Sequence, residues 1–454
     1  MSLNRKIKPD KESDIRFHLP AVSKTTSTNG IEIYSIFKEN LPIVTLNIII
    51  DAGNKYDPKD KLGLAYLTSM LIDEGAGKYS ALELDNEIEL LGSSIKISVD
   101  HDSLNISVMS LTENIERTME LASLILTQPS FNEKDYNREI NKLKHEILQS
   151  VNEPDYLAST IFEKIVFNNS SYSNPTLGYT NTVENISLND IKDFYKEKFI
   201  PSNITLITVG NLQKDLIKNL ADKCFKELKG NSSGNSEINI TEDASNKIYV
   251  VNSDGSVQSE IRVGHLTNER THKDYYSKRL VNSILGGQFT SRLNHNLREV
   301  KGFTYGVHSG FFYNLSKGNF EISTAVESKN TGESVFEILK EIDLIRQNIT
   351  NDELEFVKSL MIKKFPLTFE TYADIAKNIT TQVLFSLPDD YFNNFINNIA
   401  SVDLDSCLDA ANKYLIPGNL KIVVVGNGEI IKKQLSSLFD MEIIELDKEG
   451  NPIN

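Results

Sequence analysis

Tyr66, Ser69 and Met70 lie at positions i, i+3 and i+4 of residues 63–72, a segment predicted to form a helix after a strand at 44–51. With two histidines and a glutamate in this order, H-x-x-E-H, such a helix binds zinc and activates a water molecule. A phenol, a hydroxyl and a thioether do not replace two neutral imidazoles around Zn²⁺. None of the three is a general base at neutral pH. The segment therefore has the spacing of a catalytic metal site without its ligands.

Two carboxylates further along the chain, Glu139 and Glu146, are the next candidates for metal chemistry. They lie on one predicted amphipathic helix. The apolar stripe of this helix consists of Ile140, Leu143 and Ile147. Catalytic zinc needs three protein ligands, so Glu146 alone does not hold it, and none of the seven histidines forms a pair at i and i+4. The simpler interpretation is that Glu146 is a polar residue on a partly solvated helix beside lysines.

Arg298 and Tyr305 are the second group that could do chemistry, because a guanidinium and a phenol donate oriented hydrogen bonds. Apolar residues at helical spacing predict the helix that carries the arginine: Leu293, Leu297 and Val300. Gly302 suits a left-handed helix end, and alternation over 303–307 predicts a strand that carries Tyr305. The two side chains are expected to reach one place. Spacing alone fits equally well an Arg298 that caps helix carbonyls and a Tyr305 that fills a half-buried strand.

Composition excludes several classes of protein. The chain has 454 residues, 39 % hydrophobic and 24 % charged, which suits two or more globular domains. Its formal charge of −15 argues against a nucleic-acid partner. No apolar run reaches about 18 residues, so no membrane span is expected, and two cysteines do not make a disulfide framework. Residues 1–12 lack the apolar core of a secretory signal. As written the chain is expected in the cytoplasm, or in the periplasm if a leader has been trimmed, and its compartment stays open.

A repeat divides the chain into two halves. Matched residues share one offset along the sequence: Pro201 and Pro417, Asn203 and Asn419, Gly210 and Gly426. Each set follows a capped helix and frames a β-branched strand, so the repeat has the size of a domain. Polar, glycine-containing residues 230–244 predict a linker, which places one domain at 15–229 and the other at 245–446. Strands and helices do not alternate strictly, and the predicted class is α+β.

The strand followed by a G-L-A helix, the paired domains and the Pro-x-Asn strands that end in Gly-Asn resemble the M16 family of metallopeptidases. The resemblance covers nearly the whole chain and is greatest to bacterial members of about this length. It implies two homologous α/β sandwich domains of the LuxS/M16 metallopeptidase-like type, which form half of a clamshell. It also places Tyr66, Ser69 and Met70 at the H-x-x-E-H positions, with Glu146 as the remaining third ligand and Glu139 at a second acidic position.

In this family an Arg/Tyr pair faces the zinc site across a closed chamber and binds the substrate backbone. The resemblance assigns that role to Arg298 and Tyr305. It implies a non-catalytic subunit that holds no cofactor, acts on unfolded or short peptides, and pairs with a catalytic M16 chain that carries H-x-x-E-H and zinc. Two alternatives stay open: a scaffold or peptide-binding protein without any proteolytic role, and a peptidase with unconventional chemistry.

Overall fold

The structure is a computed structural model, and it describes residues 15, 17–231, 238, 240 and 243–453. Residues 1–12, in which no secretory signal is predicted, lie outside the described residues. So does part of the predicted linker at 230–244, and the predicted domain boundaries stay predictions.

The N-terminal unit contains a six-stranded sheet with the order β1-β2-β6-β3-β5-β4. Its strands are β1 (Ser23–Thr26), β2 (Glu32–Phe37), β3 (Ile43–Ile50), β4 (Ser94–Val99), β5 (Leu104–Leu111) and β6 (Ile204–Gly210). Its helices are α1 (Leu64–Leu71), α2 (Ala81–Leu90), α3 (Ile115–Thr127), α4 (Glu133–Ser150), α5 (Pro154–Val166), α6 (Thr180–Val183), α7 (Leu188–Lys198) and α8 (Lys214–Cys224).

The C-terminal unit contains a second six-stranded sheet with the order β12-β7-β11-β8-β10-β9. Its strands are β7 (Lys247–Asn252), β8 (Gln258–Thr267), β9 (Val307–Tyr313), β10 (Gly318–Glu327), β11 (Lys421–Gly426) and β12 (Glu442–Leu446). Its helices are α9 (Tyr275–Leu285), α10 (Thr331–Gln347), α11 (Asn351–Lys364), α12 (Tyr372–Leu384), α13 (Tyr391–Ser401), α14 (Leu404–Tyr414) and α15 (Gly428–Leu438). A π-helix, Asn294–Val300, lies between α9 and β9.

The two units share one topology. Five strands follow the same spatial order in both sheets, because β2-β6-β3-β5-β4 corresponds in chain order to β7-β11-β8-β10-β9. In each unit the first of these strands runs parallel to the last, and the other pairs are antiparallel. The outer strands differ, since β1 is antiparallel to β2 whereas β12 is parallel to β7. The predicted α+β class with two similar sheet-and-helix units is confirmed.

Helix caps explain why the repeated segments fold alike. The Ser187 side chain accepts a hydrogen bond from the backbone N–H of Asp190, 3.3 Å away, at the start of α7. At the start of α14 the Asp403 carboxylate accepts one from the backbone N–H of Ser406, 2.8 Å away. Both caps satisfy donors that the first helical turn leaves free. The two helices lead into β6 and β11, which are buried almost throughout.

Each unit contributes one helix that packs on the sheet of the other unit. Helix α5 packs on β8 and β11 of the C-terminal sheet, and α12 packs on β3 and β6 of the N-terminal sheet. The alternation of strand side chains makes this possible, because Leu206 faces the N-terminal core while Ile207 joins the cluster that includes α12. In the same way Val424 faces the C-terminal core while Val425 packs against α5. Both sheets are therefore covered on both faces, one face by the opposite unit.

In the described part of the chain, no helix combines the length and the apolarity that a membrane span requires.

Candidate functional site

A buried carboxylate fixes the start of α1, the helix with the zinc-motif spacing. Gly63 precedes this helix with φ of 97°, a left-handed conformation that favours glycine. The Asp57 carboxylate accepts hydrogen bonds from the backbone N–H groups of Gly63 and Ala65, at 2.8 and 2.9 Å. Burial raises the pKa of Asp57 to about 7, against the opposing effect of these backbone donors. The helix that presents Tyr66, Ser69 and Met70 is thus held at its N-terminus.

Tyr66 and Glu146 meet at the position where the family resemblance places zinc. The Tyr66 hydroxyl donates a hydrogen bond to Glu146 Oε1 at 2.9 Å, and this contact joins α1 to α4. Burial raises the pKa of Tyr66 far above its ordinary value, and the bond to Glu146 raises it further. The phenol therefore stays protonated at neutral pH and remains a donor to the carboxylate.

The other two motif positions are also engaged within the protein. The Ser69 hydroxyl donates to the backbone carbonyl of Tyr66 at 2.7 Å, and its residue is 8 % exposed. Met70 packs against the core of the N-terminal unit. A phenol bonded to the Glu146 carboxylate, a hydroxyl bonded to its own helix and a thioether packed against the core do not suit Zn²⁺.

Glu139 lies apart from this contact and is buried, with 2 % exposed. Its carboxylate pairs with Arg138 Nε at 2.9 Å and with Lys142 Nζ at 3.2 Å. These two cations allow the charge of Glu139 to be buried. Both glutamates lie on α4, the predicted amphipathic helix. Glu146 is half-buried, which fits a polar residue on a partly solvated helix, but its Tyr66 donor was not foreseen.

Within the described residues, no three or more His, Cys, Asp or Glu side chains are grouped so that they could hold a metal ion. That this chain carries no metal stays a prediction.

The segment that carries Arg298 is a π-helix rather than the α-helix that the apolar spacing predicted. Hydrogen bonds in a π-helix run from i to i+5, so a turn is wider than in an α-helix. Leu293 and Leu297, four residues apart, both stay buried, whereas Val300 leaves that face and is 65 % exposed. Gly302 follows with φ of 65°, which confirms the predicted left-handed helix end.

Tyr305 lies in a turn before β9 and not on the predicted strand. The Thr304 hydroxyl accepts the backbone N–H of Gly306 at 3.1 Å and donates to its carbonyl at 2.9 Å. The hydroxyl of Thr324, on β10, also donates to that carbonyl at 3.0 Å. These side-chain bonds compete with strand pairing, so β9 begins only at Val307. As a result Tyr305 is 96 % exposed, and the alternative that it fills a half-buried strand was wrong.

Arg298 is held by an aromatic ring that the sequence argument did not single out. Its guanidinium lies 3.8 Å from the centre of the Phe289 ring, and its Nε is 3.5 Å from a carboxylate oxygen of Glu299. Phe289 is itself 68 % exposed, so the stacked pair faces solvent. Among the described residues no hydrogen bond or ring contact joins Arg298 to Tyr305. Their predicted common role therefore stays a prediction. An aromatic residue directly after Gly286, Gly287 and Gln288 was the available signal for Phe289.

Comparison with known proteins matches both halves of the chain to one family. Residues 33–180 match the family described as insulinase (peptidase family M16), and residues 185–361 match a domain described as the peptidase M16 inactive domain. Among curated proteins, the non-peptidase homolog YmxG of Helicobacter pylori is 22 % identical, over 88 % of this chain and 93 % of that protein. Cytochrome b-c1 complex subunit 1 of Caenorhabditis elegans is 20 % identical, over 92 % of this chain and 90 % of its own length.

A solved structure shows the same fold. The peptidase M16 inactive domain from Pseudomonas fluorescens has a TM-score of 0.84 and 24 % identity, and the match covers 89 % of this chain and 98 % of that chain. Two matched domains, a shared fold and an altered motif at Tyr66, Ser69 and Met70 lead to one conclusion. The chain belongs to the M16 peptidase family and is a member without the H-x-x-E-H motif.

Proposed function

We propose that this chain is the non-catalytic subunit of a two-chain M16 peptidase. In this proposal the partner subunit carries H-x-x-E-H and zinc, and this chain closes the chamber and supplies Arg298 and Tyr305 to bind an unfolded or short peptide. The metal chemistry belongs to the partner. The part of this chain is to orient the peptide backbone with two hydrogen-bond donors.

The observation that carries the proposal is the contrast between two positions in this chain. At the motif position, the Tyr66 hydroxyl is bonded to Glu146, the Ser69 hydroxyl to its own helix, and Met70 packs against the core. Before β9, by contrast, the Tyr305 hydroxyl forms no hydrogen bond with any described residue and is fully open to solvent. The Arg298 guanidinium stacks on the Phe289 ring and is partly exposed. The segment before β9 therefore offers donors to a ligand, whereas the side chains at the motif position are bonded or packed within the protein.

The relatives support the idea of a subunit. One of them is named as a subunit of the cytochrome b-c1 complex and another as a non-peptidase homolog. The first name describes a chain that works as part of a complex, and the second a homolog that is not a peptidase.

The first test is purification of the tagged chain from its own cells, with stoichiometric partners identified by mass spectrometry. We expect a partner of similar size that carries H-x-x-E-H, and a chelator-sensitive peptidase activity that needs both chains. The chain alone is expected to cleave no peptide. Chelator-sensitive cleavage by the chain alone, or an unrelated partner, would contradict the proposal and favour, respectively, an unconventional peptidase or a scaffold.

Site variants test the assigned donors in the two-chain complex. We expect Arg298→Gln and Tyr305→Phe each to lower peptide turnover by about 10- to 1000-fold, the range for loss of one transition-state donor. Tyr305→Phe is informative because it removes one exposed oxygen atom and no packing contact. Tyr34→Phe, which loses a phenol hydroxyl on β2, serves as the matched control and is expected to leave turnover unchanged. Unchanged turnover in both site variants would refute the roles of Arg298 and Tyr305.

A further inference from the structure

A cavity of about 510 Å³ lies between strand β9 and the helices α9, α11, α12 and α13. This volume lies in the range of small-molecule sites. Aromatic and aliphatic side chains form much of its wall: Phe311, Met361, Phe365, Phe392 and Phe395. Its polar wall holds Arg270, Arg279, Asn282, Gln288 and Tyr391. Not one of its lining residues is an aspartate or a glutamate. We call this space the α9–α11 cavity.

Arg270 is a buried cation whose neighbours in the cavity are phenols. It is 8 % exposed, its guanidinium lies 3.4 Å from the centre of the Tyr275 ring, and it donates to the hydroxyl of Tyr391 at 2.6 Å. In the described part of the chain no carboxylate lies within ion-pair distance of it. A buried charge without a counter-ion is costly, because neutral hydrogen bonds replace only part of the lost hydration.

Arg279 adds a second cation to the same wall. It follows Tyr275 by one helical turn and donates to the Tyr275 hydroxyl at 2.8 Å, and its guanidinium lies 5.1 Å from the centre of the Phe395 ring. The described residues again include no carboxylate in ion-pair distance of this guanidinium. Arg270 and Arg279 therefore approach one phenol from two sides and leave further N–H donors for a ligand.

Lys364 also lines the cavity, and a further cation, Lys278, lies behind the wall. Lys278 is 1 % exposed and is surrounded by the rings of Phe311, Tyr313 and Tyr414, whose centres lie 5.2, 5.1 and 4.8 Å from its Nζ. It donates a hydrogen bond to Asn268 Oδ1. Burial lowers the pKa of Lys278 to about 8, so at neutral pH it is mostly charged. The cavity thus carries positive potential in a chain whose formal net charge is −15.

An internal counter-ion is the competing explanation. Burial opposes ionisation of Tyr275, but Arg279 and Arg270 outweigh it and lower its pKa. A Tyr275 phenolate would neutralise one of the two arginines. It would leave the other arginine with no carboxylate in ion-pair distance among the described residues.

We infer that the α9–α11 cavity binds a small carboxylate that is attached to an aromatic or aliphatic group. A carboxylate accepts paired hydrogen bonds from a guanidinium, which the phenols around Arg270 and Arg279 do not replace. The apolar wall receives the rest of the ligand. Two sources share this chemistry, a free organic acid and the C-terminus of a short peptide.

Binding to the full chain alone tests this inference, so the result does not depend on a peptidase partner. Calorimetric titration at pH 7 would compare N-acetylphenylalanine with N-acetylphenylalaninamide, which has the same body without the carboxylate. We expect saturable binding of the acid at one site and at least about ten-fold weaker binding of the amide. Equal affinity for acid and amide, or no binding of the acid at millimolar concentration, would overturn the inference.

Further ligands separate the sources and the nature of the anion. Hexanoate that binds as well as N-acetylphenylalanine would identify free acids as the ligands, whereas a preference for N-acetylated dipeptides would identify peptide C-termini. Inorganic phosphate is expected to bind weakly, because it leaves the apolar wall empty. Phosphate that binds more tightly than any carboxylate would contradict the assignment.

Variants locate the site. Arg279→Gln, at the open wall, is expected to weaken binding of N-acetylphenylalanine at least about ten-fold without loss of the fold. Arg270→Gln is expected to do the same, and Tyr391→Phe provides a milder change if the Arg270 variant does not fold. Arg117→Gln, on a surface ion pair of α3, is the matched control and should bind as the unchanged chain does. Unaltered affinity in both Arg279→Gln and Tyr391→Phe would place the ligand elsewhere.

Discussion

The helix pair α1 and α4 of the N-terminal unit corresponds to the pair α9 and α11 of the C-terminal unit, but the two pairs carry different side chains. Helix α1 follows β3 as α9 follows β8, and α4 follows α3 as α11 follows α10. In the N-terminal unit, the Tyr66 hydroxyl on α1 donates a hydrogen bond to Glu146 on α4 and joins the two helices. In the C-terminal unit, α9 and α11 border a cavity of about 510 Å³ with Arg270 and Arg279 on its wall.

The comparison shows that side chains, and not the backbone framework, decide what each helix pair can hold. Beside Glu146 the Tyr66 phenol donates a hydrogen bond to the carboxylate. The α9–α11 pair keeps an open space whose cations have no carboxylate in ion-pair distance among the described residues. The predicted zinc-motif positions lie only in the α1–α4 pair. What the α9–α11 pair can bind depends on its own residues.

The largest expected effect tests whether the two units unfold together as one cooperative unit. Phe162 is fully buried on α5, and its ring lies so close to Gly264 of β8 that an added methyl there would come within 2.8 Å of its Cζ. Phe162→Ala is expected to lower the free energy of unfolding by about 3–5 kcal/mol through loss of burial and an added cavity. Urea unfolding followed by circular dichroism measures this change.

Hydrogen exchange sharpens the same experiment. Because α5 belongs by sequence to one unit and packs on the sheet of the other, we expect Phe162→Ala to lower amide protection in both sheets together. Leu82→Ala, at an exposed position of α2, is the control and should change stability by no more than about 0.5 kcal/mol. Loss of protection in only one sheet would show that the units unfold separately.

The second prediction concerns the free-energy cost of burying the charge of Lys278 on α9. Below about pH 8 Lys278 is charged in both folded and unfolded chains, and its burial destabilises the fold. As pH rises from about 8 to 10.5, the folded chain releases this proton before the unfolded chain does, and the penalty disappears. Lys278→Met is therefore expected to stabilise the protein by about 1–3 kcal/mol at pH 7, with a smaller gain at pH 10.

Urea unfolding of both proteins at pH 7 and pH 10 checks the Lys278 prediction. Lys432→Met, at a half-exposed surface ion pair with Glu445, controls for loss of a lysine and should show no such pH dependence. A destabilised Lys278→Met protein, or a gain of equal size at both pH values, would disprove that burial of the Lys278 charge outweighs the attraction of Glu269 and Asp274.

The smallest expected effect concerns the hydrogen bond between Tyr66 on α1 and Glu146 on α4. A double-mutant cycle with Tyr66→Phe and Glu146→Gln should give a coupling energy of about 1 kcal/mol at pH 7, the value of one hydrogen bond at a half-buried site. Tyr34 and Glu32 form a similar contact at 3.1 Å on β2, but Lys24 also pairs with Glu32. The same cycle there is expected to give a smaller value. Equal coupling in both cycles would mean that Tyr66 does not specifically satisfy Glu146.

The sequence predicted the framework because that part of the fold depends on local signals. The helix after β3, the Ser187 and Asp403 caps and the left-handed Gly302 all follow from residue types within one turn of each feature. The repeat at one offset predicted two similar units, and the matched order of the two sheets agrees with it.

Contacts between distant residues were beyond such signals. Tyr66 and Glu146 lie far apart in the chain, as do Arg270 and Tyr391, and nothing in either local pattern names the partner. Around Arg298 the spacing itself misled, because Leu293 and Leu297 fit both an α-helix and the π-helix that forms. Tyr305 was placed on a strand because alternation continued through it, whereas the Thr304 hydroxyl turns the backbone away first.

The exchange of α5 and α12 has a consequence for how the protein is made. The ribosome releases the chain from its N-terminus, so β2, β3 and β6 emerge long before α12. Until then, apolar residues on one face of that sheet have no cover: Ile36, Ile49, Ile207 and Val209. Translation, rather than the intrinsic folding rate of the first half, then sets the earliest moment at which the N-terminal unit is complete. During that interval the nascent chain exposes an apolar surface that is prone to aggregation. We therefore expect the chain to depend on chaperones more than other chains of its size.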